Sequence, residues 1–179
     1  EKLDLAAHKD LPGIELNATG VPTGRLFRLD AWLRQQLGQQ DPIDVSVLSR
    51  QMASFGITGF TDTSATNTAA TVAQFQQMHE RGEILQNASL MGDDSLECGH
   101  LKILLDEDNL PPLNELEARI RRAREKKRGI AFHCVTHTEL LFAIAALNSC
   151  ADLDPQIQFA DRIEHGAVIF DDVLPMLRA

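Results

Sequence analysis

The chain has 179 residues, of which 44% are hydrophobic and 24% charged, enough for one domain with a hydrophobic core. Its net charge of −9 argues against a general affinity for nucleic acid, because neutralising phosphates requires a basic surface. No run approaches the ~18 apolar residues of a membrane span, no secretory signal opens the chain, and three cysteines without a CxxC pair argue against a disulfide framework. We therefore expect a cytoplasmic protein with no nucleic-acid or membrane partner.

The first 55 residues form a segment that is irregular and then helical, and that leads into the rest of the chain. Turn-forming Gly and Pro residues punctuate its first half, and apolar residues at helical spacing follow. The elements predicted here are an extended pair at 14–16 and 25–27, a helix from Leu29 that stops at Gly38, and a helix over 45–54.

From residue 56 to residue 179 strand and helix patterns alternate. The predicted strands are 56–62, 84–91, 99–106, 130–135 and 159–166; the predicted helices are 68–81, 113–127, 136–147 and a last one capped by Asp171 or Asp172. Thr136 and Glu139 have the spacing of a capping box. The alternation implies βαβ units and a parallel sheet, either open and doubly wound or closed into a barrel. The sequence contains no GxGxxG or GxxxxGK[ST] motif, so the nucleotide-binding versions of the open sheet lose support.

Three of the predicted strands carry polar residues that an inert core would not contain. Side chains alternate across a strand, so His100 and Lys102 share the face opposite Leu101 and Ile103. His133 lies in the next strand, and the fifth strand has Asp161, Ile163 and His165 on one face and Arg162 and Glu164 on the other. Roughly 30 residues, the length of one βα unit, separate Lys102 from His133, and His133 from His165. Equivalent positions of parallel barrel strands converge at their carboxyl ends, which predicts a metal site formed by these three residues.

A lysine can join a metal site only in an altered form, because an ammonium group repels a divalent cation. Carbamylation by CO₂ converts the amine into a carboxylate-like anion whose two oxygens can bridge two metal ions. The reaction requires a lysine that is desolvated enough to lose its proton.

Several runs of residues resemble the amidohydrolase superfamily, specifically its amidohydrolase family 3 branch. The runs are His-Leu-Lys-Ile-Leu-Leu-Asp-Glu at 100–107, Ile-Ala-Phe-His-Cys-Val-Thr at 130–136, Asp-Arg-Ile-Glu-His-Gly at 161–166, and the upstream segments 23–28 and 56–62. The resemblance implies a (β/α)₈ TIM-type barrel that hydrolyses C–N bonds of amides, ureas or related small molecules with one or two divalent metal ions. It implies that Lys102 is the carbamylated lysine of strand four and that His133 and His165 are the histidines of strands five and six. Histidine and carboxylate-like ligands suit zinc, iron or manganese, and zinc is the first choice.

The chain also departs from that family's pattern. The family uses a His-x-His pair on strand one and an Asp on strand eight, and the 179 residues contain no HxH. By this resemblance the chain is a partial barrel of roughly strands 2 to 6, without strand 1, strands 7 and 8 and the small β domain. We therefore expect a fragment that lacks the catalytic aspartate of strand eight and is inactive alone. Its exposed strand edges favour a homo-oligomer.

Two further residues are candidates for lesser roles in the site. His100 shares the face of Lys102 and is predicted to line the pocket, and Glu164 is predicted to orient a metal ligand. Two other functions stay open: a non-catalytic α/β domain that binds a ligand or a partner, and a lyase on a similar barrel in which Lys102 forms a Schiff base.

Overall fold

The structure is a computed structural model that describes residues 3–38, 44–152 and 160–177. The chain divides into two compact units, Glu1–Ile43 and Asp44–Ala179. The first unit holds a 3₁₀ turn and the antiparallel strands β1 (Ile14–Leu16) and β2 (Pro22–Leu26), followed by helix α1 (Asp30–Leu37). The predicted extended pair and the helix ending at Gly38, which has a φ of 67°, are both confirmed. The predicted boundary between segments 1–55 and 56–179 stays a prediction.

The second unit contains the alternating strands and helices. In chain order they are α2 (Ser46–Ser54), β3 (Gly59–Asp62), α3 (Ala69–Glu80), β4 (Asn87–Leu90), β5 (Leu101–Leu104), α4 (Leu113–Glu125), β6 (Ile130–Cys134), α5 (His137–Asn148) and β7 (Arg162–His165). Each predicted strand is present and shorter than predicted, because only some of its residues pair with a neighbouring strand. Part of the predicted fifth strand, including Phe159, lies outside the described residues.

All strands of the second unit that pair with one another run parallel. β3 pairs with β4, and β5, β6 and β7 form a three-stranded sheet in chain order. A parallel bridge between Gly92 and Leu101 connects the residues after β4 to β5. The protein is thus an α/β structure whose strands follow one another in sequence order, and the described residues form no closed barrel.

The hydrophobic core lies between the β5–β6–β7 sheet and helices α4 and α5. Leu101, Ile103 and Leu105 all face this core, as the alternation in β5 predicts. Side chains from the other elements of the core are Leu116, Ile120, Ile130, Phe132, Cys134, Leu140, Ala143 and Ile144. Fully burying a large apolar side chain stabilises a protein by roughly 1.5–3 kcal/mol, so this cluster fixes the three strands that carry Lys102, His133 and His165.

Local sequence signals determine where the helices begin and end. The predicted capping box is confirmed, since the Glu139 N–H donates to Thr136 Oγ1 at 3.2 Å and the Thr136 N–H donates to Glu139 Oε2 at 3.0 Å. The last predicted helix is wrong: residues 171–177 form turns. Pro175 disfavours helical geometry at the preceding residue and lacks the N–H that a helix needs. Among the described residues, no helix combines the length and apolar character required to cross a membrane.

Candidate metal centre

The register of the three-stranded sheet places several polar residues on the face opposite the core. Lys102 pairs with Ala131, which pairs with Arg162, and two residues further along, His133 pairs with Glu164. Registered residues of a parallel sheet point to the same side. Lys102, His133, Arg162 and Glu164 therefore share one face, and His133 and Glu164 lie nearer than Lys102 to the carboxyl ends of the strands.

Lys102 is buried although it carries an ionisable amine. Its residue surface is 4% exposed, and no described residue makes a hydrogen bond with its Nζ. Burial lowers the pKa of Lys102, the nearby Glu164 carboxylate acts against this effect, and the Arg162 charge adds to it. A lysine with a lowered pKa has a larger neutral fraction, which is the nucleophilic form of the amine.

His133 and His165 form the closest pair of imidazoles at this edge. Their ring centroids are 4.6 Å apart and the ring planes meet at 83°. Burial lowers the pKa of His133, and the neighbouring His165 and Lys102 lower it further. A neutral imidazole is the form that coordinates a metal ion.

The structure corrects the predicted placement of His165. His165 pairs with Cys134, one position beyond the pair of His133 and Glu164, so the alternation of β7 alone would turn it towards the helices. Its backbone has a φ of 70°, in the left-handed region, and its ring nevertheless contacts that of His133. The predicted equivalence of the three positions is therefore wrong in detail. They differ in height along the strands, and His165 reaches the site through its left-handed backbone conformation.

The residues just before His165 divide between the two faces of the sheet. Ile163 packs against the core, and Asp161 accepts hydrogen bonds from Arg124 and from the Ile130 N–H, so this face of β7 points to the helices. Glu164 Oε1 lies 2.6 Å from Arg162 Nε. The contact lacks hydrogen-bond geometry, and no described residue donates a hydrogen bond to this buried oxygen.

His100 lies beside a separate cavity. A cavity of about 780 Å³ is lined by residues of β3, α3 and β4 together with His100 and Arg162. Lys102, His133 and His165 are absent from its lining. His100 Nε2 is also 3.0 Å from the carbonyl oxygen of Ala160. The cavity thus borders the polar face without enclosing the paired histidines.

These side chains fit a metal ion only if the lysine takes part. In the described part of the chain, no group of three or more His, Cys, Asp and Glu side chains is arranged to hold a metal ion. Two imidazoles in contact supply two nitrogen donors, and a buried lysine with a lowered pKa lies on the same face. A carbamate on that lysine would add the oxygen donors that the set otherwise lacks.

Sequence reasoning missed the part played by Glu139 beyond its helix cap. Its carboxylate also accepts hydrogen bonds from the N–H groups of Val135, at 2.6 Å, and Glu107, at 3.1 Å. The capping-box spacing marks the residue, but no pattern in the sequence reveals the contact with Glu107, which is distant along the chain.

Comparison with solved structures identifies the fold. The chain superposes on an uncharacterized metal-dependent hydrolase from Pyrococcus furiosus with a TM-score of 0.63 and 15% identity, over 86% of this chain and 40% of that protein. A second match, an uncharacterized metal-dependent hydrolase from Pyrococcus horikoshii OT3, has a TM-score of 0.62 and 13% identity, over 91% of this chain and 41% of that protein. The chain therefore has the fold of part of these hydrolases and spans about two fifths of their length. No protein-family profile and no curated protein matches its sequence.

Proposed function

We propose that this chain is part of a metal-dependent hydrolase, with its metal centre at the carboxyl edge of the β5–β6–β7 sheet. The observation that carries the proposal is the contact between the His133 and His165 rings, whose centroids are 4.6 Å apart. His133 lies on the same face as the buried Lys102 and nearer to the carboxyl ends of the strands. The fold shared with two metal-dependent hydrolases supports it. Active sites of parallel α/β folds lie at this edge of the sheet.

Each of the three residues has a distinct role in this proposal. His133 and His165 would hold a divalent ion through ring nitrogens, and when bound the ion would activate water and polarise the scissile carbonyl. The neutral amine of Lys102 would attack CO₂, forming an N–C bond and releasing one proton, and the resulting carbamate would supply oxygen ligands. Glu164, whose Oε1 lies 2.6 Å from Arg162 Nε, would orient one of these ligands through its carboxylate.

We further propose that the five parallel strands β3 to β7 correspond to strands two to six of a (β/α)₈ barrel of the amidohydrolase superfamily, family 3 branch. Their sequence order and parallel pairing support this reading. Hydrolysis of a C–N bond in a small molecule follows from the same resemblance, and zinc is the first choice of metal because it suits histidine and carboxylate-like ligands. The whole protein would supply the remaining strands and the aspartate that moves the proton.

The proposed partners of the chain are argued from its surface charges and its exposed apolar groups. Basic residues in α4 and at its end are engaged by acidic ones, as in the 2.8 Å pairs of Arg119 with Asp94 and Lys126 with Glu97, which supports the absence of a nucleic-acid partner. Leu104, on the polar face of β5, is 61% exposed, which is consistent with a homo-oligomer. A cytoplasmic location stays a prediction.

Metal binding by the purified chain tests the proposal. Metal-free protein is titrated with zinc, and bound zinc is counted by elemental analysis. We expect H133A and H165A each to weaken binding more than about 100-fold, since even the loss of a group that only supports a ligand costs 10–100-fold. The matched control is H79N, whose amide can replace the 3.0 Å hydrogen bond of His79 Nδ1 with the Ile84 carbonyl. Equal zinc affinity in all four proteins would contradict the proposal.

The lowered pKa of Lys102 also supports a second candidate, a Schiff-base lyase. The two chemistries of Lys102 give different products. Incubation with ¹³C-labelled bicarbonate should produce a carbamate carbon signal in the wild type and none in K102R. Borohydride reduction in the presence of a carbonyl compound would instead leave a permanent adduct on Lys102 if the lyase reading holds.

A further inference from the structure

Glu139 is a buried carboxylate at the start of α5, immediately beyond the strand that carries His133. It is 5% exposed, and both of its carboxylate oxygens accept hydrogen bonds. Oε2 accepts the N–H groups of Val135, at 2.6 Å, and Thr136, at 3.0 Å, while Oε1 accepts the N–H of Glu107 at 3.1 Å. Burying a charge is costly unless hydrogen bonds compensate it, so the three N–H groups are required by this arrangement.

The helix cap accounts for only part of this arrangement. Of the three hydrogen bonds that the Glu139 carboxylate accepts, a capping box needs only the one from the Thr136 N–H. The bond from Glu107 comes from the loop that follows β5, the strand of Lys102. The same strand ends are also linked by a hydrogen bond from the Leu105 N–H to the His133 carbonyl oxygen, at 3.4 Å. One carboxylate therefore holds together the two loops that leave the strands of Lys102 and His133.

The charge of Glu139 lies at the carboxyl end of the strand that carries His133. Its hydrogen-bond donors are all backbone N–H groups, and no ion pair joins it to a lysine or arginine among the described residues. Two of these donors, the N–H groups of Val135 and Thr136, belong to the residues that directly follow this strand. A cation bound at this edge of the sheet would therefore lie at the same strand ends as a buried negative charge.

We propose that Glu139 is a positioning residue of the metal centre. It fixes the ends of β5 and β6 relative to each other and supplies a buried negative charge that favours a cation at His133 and His165. The inference rests on the proposed metal centre and adds a residue that does not itself coordinate the ion.

A pair of substitutions at Glu107 separates this role from simple helix capping. E107P removes the N–H that Glu139 Oε1 accepts and leaves the capping box in place. Proline suits this position, because Glu107 opens a 3₁₀ turn and Asp106 before it is extended, with φ −142° and ψ 113°. E107A is the matched control, since it removes an exposed side chain and keeps the N–H. E139Q removes the charge at nearly constant shape and one of the two acceptor oxygens.

Zinc titration of the metal-free proteins, with thermal unfolding measured alongside, tests the inference. We expect E139Q and E107P to weaken zinc binding about 10- to 100-fold, the usual effect of losing a group that supports a metal ligand. E107A should bind as the wild type does, and metal-free E107P should unfold within a few degrees of E107A. If E139Q does not fold, the comparison of E107P with E107A still decides. Equal zinc affinity in E107P and E107A overturns the inference and leaves the metal centre intact, whereas a wild-type chain that binds no zinc overturns the proposed function itself.

Discussion

Replacing Arg128 with methionine is expected to destabilise the second unit by about 3–5 kcal/mol, the cost of removing one member of a buried charged network. Arg128 is 1% exposed, and among the described residues its guanidinium donates only to backbone carbonyls. The acceptors are the carbonyl oxygens of Gly99 at 3.0 Å, Asp93 at 2.9 Å, Leu96 at 3.0 Å, His100 at 2.9 Å and Gly92 at 3.5 Å. Together they fold the loop between β4 and β5 around one cation.

The magnitude follows from what each carbonyl loses. Hydrogen bonds to a charged group contribute about 1.5–3 kcal/mol each, but the full sum is too large, because removing the guanidinium also removes the cost of burying it. Three carbonyls keep another donor: Gly92 retains the Lys102 N–H at 2.8 Å, His100 retains the Gly92 N–H at 3.1 Å, and Leu96 retains Lys126 Nζ at 3.4 Å. The remaining loss, about 3–5 kcal/mol, is a large part of the free energy of unfolding of a folded domain, which is typically about 5–15 kcal/mol.

Urea denaturation measures this loss directly. With a slope of about 2 kcal/mol per molar urea, the midpoint of R128M should fall by roughly 2 M. The control is R122M, because Arg122 lies in α4, six residues before Arg128, its side chain is 58% exposed, and it is 3.8 Å from Asp94. An exposed pair of this kind contributes at most about 1 kcal/mol. Similar midpoints for R128M and R122M would refute the reasoning.

Two further predictions concern backbone strain and thiol chemistry. G99A should destabilise the protein by about 1–3 kcal/mol more than G82A: both positions have positive φ, 73° and 71°, but a Cβ at Gly99 would lie 2.3 Å from the Leu90 carbonyl oxygen, while nothing lies within 4 Å at Gly82. Equal unfolding midpoints for G99A and G82A would show that the loop accommodates the added Cβ without loss of stability. In the native protein a thiol reagent at pH 8 should modify the exposed Cys98 and spare Cys134, because burial raises the pKa of Cys134 to about 12 and leaves it protonated. C98S should abolish fast labelling, and fast labelling that persists in C98S would contradict the burial of Cys134.

The order and type of the elements could be read from the sequence because their signals are local. Apolar periodicity, the glycine after α3 and the Thr136–Glu139 capping box each act within a few residues, and the structure confirms them. The last helix failed for an equally local reason, since the effect of Pro175 outweighs a capping aspartate. Strand alternation was similarly sufficient to place Leu101 and Ile103 in the core and Lys102 on the other face.

The relative positions of the candidate ligands could not be predicted in the same way. The number of residues between Lys102 and His133 includes a helix and two loops, whose lengths do not determine the hydrogen-bond register between strands. The register places His133 beside Leu104 and leaves Lys102 beside Ala131. Sequence spacing therefore indicated which strands meet, whereas the ladder of backbone hydrogen bonds determined at which height.

Periodicity within single elements was enough to predict that parallel strands alternate with helices and that His133 and Lys102 share a face. Two other features came from the packed fold. His165 joins these residues through a left-handed backbone conformation that overrides strand alternation, and Glu139 ties together the loops after β5 and β6. These features depend on contacts between residues far apart in the chain. Such contacts form only when the packed core brings the ends of neighbouring strands to the same edge.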